Sequence, residues 1–340
     1  MEEIEIFRNF KILEANKEYL IGAKGYKIYK YSYCNQMYEF IGSVDDVKYR
    51  LLSIFSLTRR LFRAEVTSLY TLLDDTQIIV AKKGIFRKKK GNKKFVKCFS
   101  ISRGSRPLNI CIANNSELYF GEYFANMDKK AVNIYRSIDY GKTWEVAYTF
   151  SEGNINHIHG IFWDKYTRKI WYATGDRENE CIIGYTEDGF KTVNEVFRGD
   201  QEYRTCNLFF YKDYIVFATD SQYKTNEIKL INRDNLKLEK IVDIQGSAIK
   251  GGQVGDIAFL STTVEPSKVN LDKCSHVWIS FNGKKWTEIY KAKKDFLPAV
   301  FQFGSIEFPN YNVPISDKII FSGRAVRKIG GDSMVLKISE

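Results

Sequence analysis

The sequence predicts an all-β protein in which tandem four-stranded sheets close into a ring. Three observations carry that prediction: a turn motif that recurs at a common spacing, an aromatic-rich composition, and a chain with no linker. The stretch "SIDYGKTWE" (137–145) sets a hydroxyl, a carboxylate, a glycine and a tryptophan at fixed offsets. "TEDGFKTV" (186–193) repeats the hydroxyl, acid, glycine and threonine, and "SFNGKKWTE" (280–288) keeps Ser280, Asn282, Gly283 and Trp286. The starts at 137, 186 and 280 lie 49 and 94 residues apart, and 94 is twice 47. A degenerate copy is therefore expected near 233, where "LINRDNLKLEK" holds Asp234 and Asn235. Aromatic residues make up 15% of the 340, which favours extended strands. Five prolines and no Gly/Ser-rich segment leave a single domain over 1–340.

The turn chemistry is local. A Ser or Thr hydroxyl and an Asp carboxylate can bond the backbone of a tight turn. Glycine accepts the positive φ such a turn needs. One copy is unremarkable, but several at a shared period indicate a repeat architecture.

The 137, 186 and 280 stretches resemble the Asp-box of the sialidase-like, BNR-repeat β-propeller proteins, over roughly residues 107–292. The resemblance implies a β-propeller of four-stranded blades. A period near 47 gives seven blades in 340 residues, with six as the alternative. The first blade holds "EYLIGAKGYKIYKYSY" and "MYEFIGSV", the second "VTSLYTLLDDTQIIVAKKGIFR", and the third "LNICIANNSELYFGEYF" and the first box. The fourth runs from "HIHGIFWDKYTRKIWYATGDRENE" through the second box. The fifth contains "CNLFFYKDYIVFATDS", the sixth leads from "IAFLSTTVEP" to the last box, and the seventh contains "KIIFSGRAV". Residues 48–63 have helical spacing and read as an insertion between blades one and two. "IEIF", near the start, is available to complete the last blade.

In such a blade the box is the turn between the third and fourth strands. The loops between second and third strands, and the crossings between blades, lie on the opposite face. That face surrounds the channel mouth, where a site is expected. It gathers Arg63, Arg103, Arg106, Glu122, Tyr123, Asn126, His157, His159, Asp176, Arg177, Glu178, Glu180, Gln201, Glu202, Tyr203, Arg204, Asp220, Glu265, His276 and Arg324. His157 and His159 stand at i and i+2 on one strand and should face the channel together.

Two chemistries suit that set. One is acid–base catalysis by His157, His159, Glu180 and Tyr203. The other is a divalent metal on His157 and His159, completed by Gln201, Glu180 or His276. The metal arrangement resembles that of propeller-fold polysaccharide lyases; the sequence itself requires no cofactor, the divalent metal included. The sialidase resemblance further implies a carboxylate-gripping triad, Arg63, Arg204 and Arg324, and a Tyr203–Glu180 pair. "LFRAEV" departs from that family's F-R-I-P motif at Ala64 and Glu65. Glu122, Tyr123, Asp176, Arg177, Gln201 and Asp220 complete the substrate-binding candidates.

The expected function is a carbohydrate-active enzyme, lyase or hydrolase, acting on an acidic oligo- or polysaccharide. The alternative is a non-catalytic glycan- or protein-binding propeller of surface-polysaccharide metabolism. The net charge of +11 suits an anionic partner. "RKKKGNKK" (87–94) reads as a solvated hairpin tip rather than a nucleic-acid patch. The N-terminal segment lacks an apolar core, and no run reaches the ~20 residues of a membrane span. The six scattered cysteines read as reduced thiols. A cytoplasmic protein is expected, or a secreted or periplasmic one if a signal was removed.

Overall fold

The computed structural model describes residues 2–114, 116–314 and 317–338. Antiparallel meanders dominate it, with 52% of the chain in strands and 7% in helix. Five sheets have four strands each, and a sixth has nine. The nine-stranded sheet contains two meanders: Lys11–Ala15, Tyr19–Lys24, Lys27–Ser32 and Tyr38–Val44, then Val66–Thr71, Gln77–Ala81, Gly84–Lys88 and Lys94–Ser100. They touch through a short parallel contact, Ser43 with Lys94 and Val44 with Phe95. The two-residue strand Asn310–Tyr311 adds to its other end.

Burial follows position in the sheet. Second strands are buried along almost their whole length, as in Gln77–Ala81, because neighbouring sheets cover both faces. The outermost strands, such as Lys94–Ser100, expose most of their residues. The core is divided between adjacent sheets. Ile21, Ile28 and Phe86 pack between the first two meanders. Tyr119, Ile134, Ile170 and Tyr172 pack between the sheets on either side of residue 155. Phe10 and Leu20 meet Ile320 and Val335, so the last sheet packs on the first and the array closes. Each fully buried Phe or Ile at such a contact contributes about 1.5–3 kcal/mol.

The closing sheet joins the chain ends. Glu2–Phe7 pairs antiparallel with Ser333–Lys337, alongside Lys318–Arg324 and Ser305–Glu307. The "IEIF" strand thus lies at the edge of the last sheet.

The box turns are built from their own side chains. Asp139 Oδ1 accepts from Ser137 Oγ at 2.9 Å and from the backbone N–H groups of Lys142 and Thr143 at 3.0 and 2.9 Å. Thr143 Oγ1 donates to Asp139 Oδ2 at 2.7 Å. Burial would raise Asp139, but these bonds hold it down at about 2. Gly141 sits at φ 75°, and its N–H donates to Ser137 Oγ. Thr186, Asp188 and Thr192 repeat the pattern. In the third copy Asn282 replaces the carboxylate, accepting from the Lys284 and Lys285 N–H groups. The degenerate copy turns on Asn232, which accepts from the Asp234 N–H. All four link the third and fourth strands of a sheet.

The insertion forms two short helices, Val47–Leu52 and Ser56–Phe62, broken at Ser53. Their apolar residues Leu51, Ile54, Phe55 and Leu57 are exposed rather than packed on the core. Residues 89–93 form the turn between Gly84–Lys88 and Lys94–Ser100, so the lysine run is a hairpin tip. No helix among the described residues is long and apolar enough to cross a membrane.

Candidate functional site

Inter-sheet crossings and second-to-third-strand loops converge on one cavity of about 590 Å³. Of the sequence candidates, Arg63, Arg106, Tyr123, Asn126, His157, Asp176, Arg204, Asp220, Glu265 and Arg324 line it. Lys250, from the inner strand Ala248–Val254, joins them.

His157 opens the inner strand His157–Asp164, and His159 follows at a bulge where pairing shifts between Ile158 and Gly160. Comparable shifts occur on the inner strands at Ile12/Glu14, Val66/Ser68 and Ala248/Lys250. The bulge re-aims His159. Its ring is tilted at 36° to that of His157, with centroids 5.1 Å apart, and it is 1% exposed. The two Nε2 atoms are 3.1 Å apart. Each ring is oriented through Nδ1 against a backbone carbonyl, Phe124 O at 2.9 Å for His157 and Thr205 O at 3.1 Å for His159. Gly175 opposite is required by that approach, since a Cβ there would sit 2.4 Å from His159 Cε1. Tyr123 covers His157 with ring centroids 4.2 Å apart. Burial keeps His159 below the ordinary histidine range.

Asp176 faces both rings. Its Oδ1 is 3.5 Å from His157 Nε2, 3.4 Å from His159 Nε2 and 2.9 Å from Arg204 Nη2. Its Oδ2 accepts from Asn156 Nδ2 at 2.6 Å. Burial opposes its ionisation, but the neighbouring imidazoles hold its carboxyl well below the usual range. Behind it, Asp220 is buried near Arg204 and accepts the Cys206 thiol at 3.3 Å.

The opposite wall is cationic. Arg324 Nη2 lies 2.9 Å from Glu65 and 2.7 Å from Glu307, and Lys11 pairs with Glu307 at 2.5 Å. Lys250 approaches Glu307 only at 4.0 Å, and burial brings its pKa down to about 8. Arg106 has no hydrogen bond or ion pair among the described residues, and its Nη1 is buried without a partner. Burial and the nearby Arg324 press its pKa down. The pKa of Glu265 is raised, chiefly by burial.

Other sequence candidates are engaged elsewhere. Glu180 is buried and ion-paired with Lys129, and its carboxylate accepts the Arg177 N–H. Tyr203 stacks on Phe197, with centroids 5.0 Å apart. Gln201 is buried behind the site, donating to Asp176 O and accepting from Ser221. Glu122 is held by Arg103 and the Asn133 N–H. Arg177 is exposed outside the cavity. His276 lies on a third strand between Asp272 and Glu288, not at the mouth. Glu180, Gln201 and His276 are therefore not placed to complete a metal site with the histidine pair; Asp176 occupies that position. Sequence reasoning passed over Lys250, whose signal was a lysine on an otherwise uncharged inner strand, "AIKGGQV".

Closed four-stranded sheets around a polar mouth define the class of protein as a β-propeller. Solved propeller structures match along almost the whole chain. The WD40 β-propeller domain of Doa1 is 9% identical with a TM-score of 0.59, covering 100% of this chain and 97% of its own. A chain of a mitotic checkpoint complex is 8% identical at 0.59, covering 100% and 95%. Saccharomyces cerevisiae Sqt1 is 9% identical at 0.52, covering 96% and 83%. At these identities the likeness is one of fold. No protein-family model matches the chain, and no curated protein matches its sequence. The Asp-box resemblance accordingly rests on the turn residues themselves.

Proposed function

We propose that this chain is a non-catalytic, seven-bladed propeller that binds a carboxylate-bearing glycan at its channel mouth. The blade count takes the nine-stranded sheet as two blades. Seven apolar clusters among the described residues, one between each successive pair of meanders, support it. The Asp-box turns support a sialidase-like relationship.

The observation that carries the binding reading is Arg106. Arg106 is half-buried, and leaving its buried Nη1 without an anionic partner is costly. Here it faces a cavity also lined by Arg63, Lys250 and Arg324. Such a group is satisfied by a ligand carboxylate, which guanidinium can grip through two parallel hydrogen bonds. Catalysis is less well supported, because Glu180 and Tyr203 are committed to Lys129 and Phe197.

The test is titration of the protein with uronic- and sialic-acid oligosaccharides, a neutral oligosaccharide and an acidic peptide. Binding of an acidic oligosaccharide without turnover, and no binding of the neutral one, is expected. Equal binding of the neutral sugar, cleavage of the acidic one, or binding of the peptide alone would each overturn the reading.

A further inference from the structure

We propose that His157, His159 and Asp176 form a site for a first-row divalent metal ion of the zinc class. The argument starts from the ring protons and is independent of the glycan reading. A backbone carbonyl can only accept a hydrogen bond. Phe124 O and Thr205 O, at 2.9 and 3.1 Å, therefore place the proton of each neutral ring on Nδ1; Asn156 Nδ2 also lies 3.3 Å from His157 Nδ1, but it donates at the shorter 2.6 Å to Asp176 Oδ2. Both Nε2 atoms are left as lone pairs, yet they face one another at 3.1 Å. Asp176 Oδ1 adds a third lone-pair donor, 3.5 and 3.4 Å from the two nitrogens. Of these three acceptors Arg204 meets only the Asp176 carboxylate, so the two buried nitrogens still face each other as lone pairs, an arrangement that a cation between them satisfies.

The triangle has the dimensions of a metal site. A point equidistant from three atoms so spaced lies about 1.9 Å from each, near the ~2.0–2.1 Å of a zinc–imidazole bond. Two imidazoles and one carboxylate suit a zinc-class ion. The orienting shell is present as well. Carbonyls bond both Nδ1 atoms, Asn156 holds Asp176 Oδ2 at 2.6 Å, and Arg204 Nη2 lies 2.9 Å from Oδ1. His157 and Asp176 line the cavity, so the remaining coordination positions open toward it. A second set, His159, Cys206 and Asp220, shares one histidine, but the Cys206 thiol is already bonded to Asp220 Oδ2 at 3.3 Å.

The experiment uses the full chain, stripped with a chelator, and Zn²⁺ or Co²⁺ alone. Metal content after dialysis and the visible spectrum of the Co²⁺ form are measured for wild type, His157→Gln, Asp176→Asn and His276→Gln. The wild type should take up one equivalent and show d–d bands without thiolate charge transfer. Asp176→Asn and His157→Gln should each lose roughly tenfold or more in affinity, and His276→Gln should lose none. The spectrum of the wild type needs no variant to fold. Failure of the wild type to retain either ion would overturn the proposal and leave a proton shared between the rings. A thiolate band would move the ion to Cys206, and loss of uptake in His276→Gln alone would move it to the Asp272–Glu288 pair; either result overturns the assignment. Glycan titration of the stripped protein keeps the two proposals separate, since the cationic wall is retained.

Discussion

Replacing Arg106 by methionine should make the protein more stable and worse at binding. The stem is kept, and only the guanidinium is removed. In the folded chain that group has no anionic partner among the described residues, and Arg324 and Lys250 share its cavity. An unsatisfied buried charge costs about 1–3 kcal/mol or more. Part of that is already relieved by Glu65 and Glu307 at longer range. A net gain of about 1 kcal/mol on removal is reasonable, equivalent to a melting-temperature rise of roughly 2 °C in a chain this large. The same guanidinium should give a ligand carboxylate a charge-assisted hydrogen bond of about 1.5–3 kcal/mol. Its loss should weaken acidic-oligosaccharide binding by roughly 10- to 150-fold. Thermal melts without ligand and titration calorimetry with it read the two quantities on one sample. A lower melting temperature would mean that Arg106 holds the fold together, and undiminished affinity would mean that the ligand lies elsewhere. Either result refutes the reasoning.

Three other perturbations follow from the same structure. Asp139→Ala removes the acceptor of four turn donors and should cost about 1–2 kcal/mol, by analogy with a lost cap, in denaturant titration. Because Asp139 is depressed from 3.8 to about 2, its contribution is complete above pH 3.8 and lost as pH falls through about 2; an acid titration in which wild type and variant differ by the same amount at every pH would contradict this. Lys250, lowered to about 8 by burial against the pull of Glu307 and with the push of Arg324, Arg106 and Lys11, loses its charge as pH rises through 8. Acidic-oligosaccharide affinity should fall across that pH in wild type and stay flat in Lys250→Met. Deleting residues 2–7 removes the edge strand of the closing sheet and the buried Phe7, and should lower the melting temperature by several degrees. An unchanged melt would show that the seam contributes nothing.

The parts of this molecule legible from sequence were those determined within a few residues. Ser137, Asp139, Gly141 and Thr143 bond one another inside a single turn, so their spacing reported the fold directly. Knowing which turn they form also sorted the other loops by face, and many of the residues so sorted line one cavity. What sequence did not disclose was pairing across sheets. Nothing local to Glu180 announces that Lys129, from the preceding sheet, takes its carboxylate. Nor does the strand around Tyr203 reveal that Phe197 captures its ring. The i, i+2 argument placed His157 and His159 on one side of a strand, but the bulge between Ile158 and Gly160 leaves the rings tilted at 36° with their Nε2 atoms opposed. Asp176 was read as a ligand contact because its alignment with both rings depends on the loop after Gly175.

The seam also has a consequence for biosynthesis. Its register sets Glu2 against Lys337, so the Glu2–Phe7 strand waits for residues 333–337. Until residues 318–337 have been made, Glu2–Phe7 has no partner, and the apolar flank formed by Phe10 and Leu20 has no Ile320 or Val335 to cover it. A chain in that condition presents an unpaired strand edge and uncovered apolar surface, the two features that favour off-pathway association before a ring closes.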